Sequence, residues 1–491
     1  MRTPDRQVAT DEKLDAARRL GDPPADDVVA AILGTCEVPA PAQPAASASA
    51  ATCDGSAAER LARVKALNKL IGSWGNNAQV AAGDDPLGPQ LAEFIAVANK
   101  LPDWACPDRI QRAQLMFMDQ GVLSVTALFC ASLPDSYVLP DLAAVLHATG
   151  QLDSNVIHRI RATGAMIFPV MMMGGLVPGS SEGGGIAQIL KVRLIHAMVR
   201  NLILRTTPEA VVNAERQAPA TGGKVPKLAE VQRGDAPMAA LHVMGWDIDA
   251  RGVPNDQEEL AYTLLTFSYV FLRAMRDLDI PFSDQECEDY LHAWNVAGYF
   301  LGIDRDLTVD TMDKAAELYG RMQKRGRERW AKQPDGKDPR PHLAAALMEV
   351  LQNSFTNFFT RPIPVLLTRR LIGTASSRDL QLDGRVAWWS RFVFWVSMGS
   401  IRLVDRIARL HWKDFSLGRL VTRAVGHQLL FNKLMDLTDA LSVPGTIRPR
   451  IATLVRTWGE DKRASPFMNS VDDRFNRKGE WVRPPTETRG P

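Results

Sequence analysis

KVRLIHAMVRNLIL, Lys191 to Leu204, sets the fold class and supplies the first candidate for chemistry. Extended back to about Ile186, it places Ile189, Val192, His196, Val199 and Ile203 on one face. Spacings of three and four are those of an α-helix with one apolar stripe. The same period recurs along the chain. AAERLARVKALNKLIGSW spaces Leu61, Val64, Leu67 and Ile71 in this way. EELAYTLLTFSYVFLRAM (Glu258 to Met275) and DQECEDYLHAWNVAGYFLGI (Asp284 to Ile303) read as amphipathic helices, the second capped by Ser283 with Glu286 at its third position. Alternating β-branched runs with hairpin turns are nearly absent, and no internal repeat is found. The expected fold is all-α, a helical bundle.

Composition sets the frame for that bundle. Of 491 residues, 46% are hydrophobic and 23% charged, the balance of an ordinary globular protein. The net charge of +2 gives no electrostatic reason to expect nucleic acid. Residues 1–58 are poor in aromatics and end in PAPAQPAASASAATCDGS, which predicts a flexible N-terminal extension. A helical segment is expected over 59–107, the main helical domain over 108–441 and a polar tail over 442–491. TTPEAVVNAERQAPATGGKVPKLAEVQRGD (Thr206 to Asp235) reads as a long surface connection. The N-terminal stretch carries no apolar run behind its basic residues, and no greasy run reaches the roughly 18 residues needed to span a bilayer. The expectation is a cytoplasmic protein with no transmembrane segment. Five cysteines without a C-x-x-C predict neither a disulfide framework nor a structural zinc site, and a reducing compartment.

Familiar enzyme signatures fail. No G-x-x-x-x-G-K-[ST], H-E-x-x-H or G-x-S-x-G occurs. The glycines of PGSSEGGG lack the lysine and preceding strand of a phosphate loop. No two of the eight histidines are three or four residues apart, so a helical two-histidine metal site is excluded. One histidine still suffices for haem iron, because the porphyrin supplies the other four nitrogens. His196 suits that role: an apolar helix face disfavours its protonated form and favours the neutral ring that metals bind. Arg193 and Arg200 flank the same stripe and can pair with propionates. The alternative is a hydrogen-bonded core histidine with structural arginines. Upstream, HRIRATGAMIFPVMMM puts Arg159 and Thr163 one turn apart on a helix that becomes wholly apolar. A cation and a hydroxyl beside a greasy wall suit a small polar ligand on a hydrophobic substrate. A surface turn followed by core explains the same pattern.

Taken together, R-x-x-x-T at Arg159 and Thr163, KVRLIHAMVR around His196, GVPNDQEELAYTLLTFSYVFLR and ECEDYLHAWNVAGYFLGI resemble the latex-clearing and rubber-oxygenase family, which includes the oxygenase of mycophenolic acid biosynthesis. The resemblance covers about Asp108 to Leu441. It implies a globin-like helical core with one haem b, His196 as the proximal iron ligand, and Arg159 and Thr163 on the oxygen-binding side. The latex-clearing enzymes carry a lysine just before that threonine; here the residue is Ala162. The implied reaction is oxidation of a C=C double bond in an isoprenoid or other unsaturated apolar substrate by O2. Two alternatives stand beside it: a haem-binding gas sensor or peroxidase-like protein, and a cofactor-free helical protein of membrane surfaces. The last rests on WWSRFVFW (Trp388 to Trp395), read foremost as a core helix and secondarily as a peripheral membrane contact.

Overall fold

The computed structural model describes residues 6–36, 54–74, 77, 88–148, 156–178, 184–217, 224–225, 241, 245–280, 282–332, 338–355, 357–358, 360–408 and 416–433. Among them, strand is confined to Lys224–Val225 paired antiparallel with Trp246–Asp247. The rest is helix and connection, as the periodicity demands.

The first helices are α1 (Asp11–Ala17), α2 (Pro23–Leu33), α3 (Ala57–Ser73) and α4 (Gly88–Ala98). Here the expectation of a flexible extension over 1–58 is corrected for its described part. Leu14, Val29 and Leu33 are fully buried in the same core as the rest of the molecule. The Ala/Pro/Ser run that prompted the expectation lies outside the described residues. The expected tail over 442–491 also lies outside them. A second correction concerns cysteine: Cys36 is buried and disulfide-bonded. Disulfides persist in oxidising surroundings, so the cysteines no longer support a reducing compartment.

The centre is built from α5 (Pro107–Gln120), α6 (Val122–Ala127), a π-helical turn at Leu128–Ser132, α7 (Leu133–Asp135), α8 (Pro140–Ala148), α9 (Val156–Met171) and α10 (Gly184–Leu204). No single described helix is long and apolar enough to cross a membrane. Pro107–Gln120 and Val122–Asp135 would qualify together, but they meet at 89°. The segment expected as a surface connection contains α11 (Pro208–Gln217), which buries Val211 and Val212.

The remaining helices are α12 (Ile248–Arg251), α13 (Gln257–Phe267), α14 (Tyr269–Asp277), α15 (Asp284–Phe300), α16 (Met312–Ala331), α17 (Arg340–Gln352), α18 (Ile363–Asp379), α19 (Trp388–Ala408) and α20 (Leu417–Lys433). The single helix expected over 258–275 is broken at Ser268, whose φ of −101° and ψ of −75° separate α13 from α14. Its hydroxyl donates to the Leu264 carbonyl at 2.8 Å, a back-bond that bends helices. At α15 the expected cap is present: the Ser283 hydroxyl accepts the Glu286 N–H, and the Glu286 carboxylate accepts the Ser283 N–H. Asp289 then ties α15 to α5 through Arg109 at 2.8 Å and Arg112 at 2.6 Å.

Candidate functional site

The helices α9 and α10 pack side by side as a hairpin, and glycine closes it. The Ile186 N–H donates to the Gly175 carbonyl at 3.1 Å. A Cβ on Gly175 would lie 2.0 Å from the Pro169 carbonyl oxygen, and one on Gly185 would lie 2.4 Å from the Gly175 oxygen. Two glycines thus permit a backbone approach that no side chain allows. Of the PGSSEGGG run, Gly184 and Gly185 begin α10 and so belong to this hairpin.

Nearly all of α10 is buried. In its 21 residues only Gly184, Val192, Ile195 and His196 keep some open surface. The last three form one patch in the middle of the helix. On α9 the half-open residues are Arg159, Ala162, Thr163 and Met166, while Ile160, Ile167 and Phe168 are buried. Spacings of three and four make these a single stripe. The two helices run back at the same rise per residue from the point where Gly185 meets the Pro169 carbonyl, so His196, eleven residues along α10, stands level with Arg159, ten residues back along α9. The two half-open patches therefore overlap in level, Val192 with Ala162 and His196 with Arg159.

His196 sits deep, and burial together with the nearby Arg200 cation pushes its pKa down to about 3. The ring is thus neutral at ordinary pH. Its Nδ1 is buried without a hydrogen-bond partner among the described residues. A core histidine normally has its nitrogens satisfied, so the purely structural reading of His196 loses ground. The same orphaned nitrogen also lacks the acceptor that usually orients a metal-bound imidazole. Arg159 stacks over the Tyr137 ring, 4.7 Å from its centroid, and its Nη1 is likewise buried and unpartnered. A guanidinium N–H held this way is a ready donor to an anionic or polar oxygen.

The flanking arginines are elsewhere. Arg193 Nε and Nη2 clamp the Asp22 carboxylate at 2.5 and 2.7 Å. Arg193 also lines a 710 Å³ cleft between α2, α4 and the end of α15, with its guanidinium 5.2 Å from the Phe94 ring. Arg200 bonds Asp26 at 2.7 Å and the Asn255 carbonyl at 3.0 Å. The expectation that Arg193 and Arg200 hold haem propionates is therefore corrected: both guanidiniums serve as buried counter-ions to the N-terminal helix α2. The neighbouring segment's two acids are also committed. Asp135 is wholly buried against Tyr319, Arg273 and Gln323. Asp141 lies between Arg18 and Arg329 at 3.7 and 3.6 Å.

The other histidine with a described environment in this region is bound structurally. His292 shares the unpartnered buried Nδ1, but its Nε2 accepts the Cys106 N–H at 2.9 Å and its ring meets Trp104 edge-on. His242 lies outside the described residues. Two participants escaped the sequence reading. Tyr137, beneath Arg159, stands in an unremarkable SYVLP run. Lys191 is buried with no ion pair among the described residues, and burial pushes its pKa down to about 8. Its signal was a charged residue inside a greasy helix.

Comparison with known proteins matches residues 116–410 to the family described as "ER-bound oxygenase mpaB/B'/Rubber oxygenase, catalytic domain". The chain is 23% identical over 256 residues to a rubber oxygenase from Streptomyces sp. (strain K30), which covers 51% of this chain. It spans about half the length of that curated relative, 52%. The fold is similar to that of latex clearing protein in its closed state, with a TM-score of 0.52 and 17% identity over 90% of each chain.

Proposed function

The chain belongs to the ER-bound oxygenase mpaB/B'/rubber oxygenase family, and we propose that it is a haem-b-dependent oxygenase acting on a C=C double bond of an isoprenoid or other unsaturated apolar substrate. The observation that carries this reading is His196: neutral, deep, unpartnered at Nδ1, and on a half-open patch level with Arg159. An imidazole of this kind would hold haem iron if the group is bound. When bound, haem b supplies the redox chemistry with O2.

The chain's own residues do the rest. His196 would hold the group from α10. Arg159 and Thr163 donate hydrogen bonds from α9 toward an oxygen on which negative charge develops. In a low-dielectric pocket such donors stabilise charge far more than in water. Tyr137 keeps the Arg159 guanidinium in place from below. Met166, with Val192 and Ile195, offers an apolar wall on which an unsaturated hydrocarbon can lie without desolvation cost. Ala162 leaves the stripe between Arg159 and Thr163 without a further polar side chain. Arg193 and Arg200 act at a distance, by fixing α10 against α2.

The test is turnover. Reduced full-length protein is incubated with O2 and a polyprenyl substrate, and products are read by mass spectrometry. Aldehyde or ketone products are expected. Stable O2 binding without product would replace this reading with that of a haem-binding sensor.

A further inference from the structure

The helix α19 does not behave as a core helix. The expectation that WWSRFVFW packs inside is corrected: Trp388 is 78% exposed and Trp395 73%. In 21 residues only Ser390 and Asp405 are buried. Most of the large exposed hydrophobic residues among those described stand on this one helix. Trp388, Phe392, Trp395, Val396, Leu403 and Ile407 recur at spacings that keep them on one side, over a length of roughly 30 Å. A contiguous apolar surface of this kind marks an interaction site.

We propose that α19 is a docking helix that lies flat on an anionic lipid surface. Charge selects this occupant. The charged side chains of α19 are Arg391, Arg402, Arg406 and Asp405. Asp405 is turned inward, where its carboxylate accepts the Leu417 N–H at 2.5 Å and the Gly418 N–H at 3.1 Å. Arg402 and Arg406 are exposed, and Arg402 forms an open ion pair with Asp279 at 3.6 Å. Helical spacing puts Arg402 and Arg406 along one border of the apolar sector. Trp and Phe on one side with arginines at the border is the chemistry of an interfacial helix. Phe358, 69% exposed, extends the surface by stacking on Trp389 with centroids 5.9 Å apart.

This inference does not depend on the oxygenase reading, since its test needs no turnover. Full-length protein is sedimented with vesicles of phosphatidylcholine alone, or of phosphatidylcholine and phosphatidylglycerol in roughly equal parts. Binding to the anionic vesicles, weakened by salt, is expected. The Trp388→Ser/Trp395→Ser protein should bind at least about tenfold more weakly, with its thermal unfolding unchanged because neither ring is in the core. Arg402→Glu/Arg406→Glu should lose the preference for anionic vesicles and serves if the tryptophan variant misfolds. Three results would overturn the proposal: wild type left in the supernatant with both vesicles, folded variants that bind as wild type does, or a dimer abolished by the tryptophan pair with no vesicle binding.

Discussion

At the residue scale, the neutrality of His196 has a thermodynamic consequence. Its pKa in the fold lies near 3, well below the ordinary value of 6.5. Between those values the unfolded chain binds a proton that the folded chain refuses, so stability falls as pH drops below about 6.5. For one such group the slope approaches about 1.4 kcal/mol per pH unit. His292, pushed down to about 4 by burial, adds a second contribution of the same sign. Buried acids such as Asp26, raised to about 6, contribute with the opposite sign over the same range, so the loss is read by difference: in urea unfolding of haem-free protein from pH 7 to 4, wild type should lose stability relative to His196→Leu. Equal pH slopes for wild type and His196→Leu would mean the ring is not held neutral. Arg159→Met should lower turnover on the order of a hundredfold while leaving the absorption spectrum in place, because it removes a donor and not the iron ligand. His196 was legible because a polar residue interrupts an apolar stripe. The fates of Arg193 and Arg200 were not, because their partners Asp22 and Asp26 lie more than a hundred and seventy positions away in sequence. Local spacing carries no trace of such a partner.

At the element scale, α2 and α10 are locked by two buried ion pairs, Asp22 with Arg193 and Asp26 with Arg200. Arg200 is fully enclosed. Asp26→Ala therefore strands a buried guanidinium, and the expected loss is about 3–5 kcal/mol of unfolding free energy. Asp26→Leu combined with Arg200→Met should recover much of it, since a buried pair replaced by apolar groups is often near neutral. Both proteins should retain haem wherever they fold. Failure of the folded double variant to bind haem would restore Arg200 to the propionates. The helical type of each element was readable from its apolar period. The break at Ser268 and the glycine closure of α9 on α10 were not, because each depends on what the backbone meets in three dimensions.

At the scale of the whole molecule, the N-terminal residues are part of the body. The side chains of α1 and α2 reach the same core as α10, α13 and α15. Deleting residues 1–35 should yield insoluble or non-cooperatively unfolding protein, as judged by expression yield and thermal circular dichroism. A truncated chain that unfolds like the full one would make these helices dispensable. Low aromatic content hid this role, since Leu14, Val29 and Leu33 are individually ordinary and count only once packed. The reverse holds for α19, where greasy composition suggested core and the fold leaves it outside. The proposed activity turns on His196, and the haem content of purified full-length protein tests it most directly. Wild type expressed with ample haem should show a Soret band and about one haem per chain by pyridine haemochrome assay, and His196→Ala should show almost none. A wild type without a Soret band, or a His196→Ala protein with an unaltered spectrum and full haem, would contradict it.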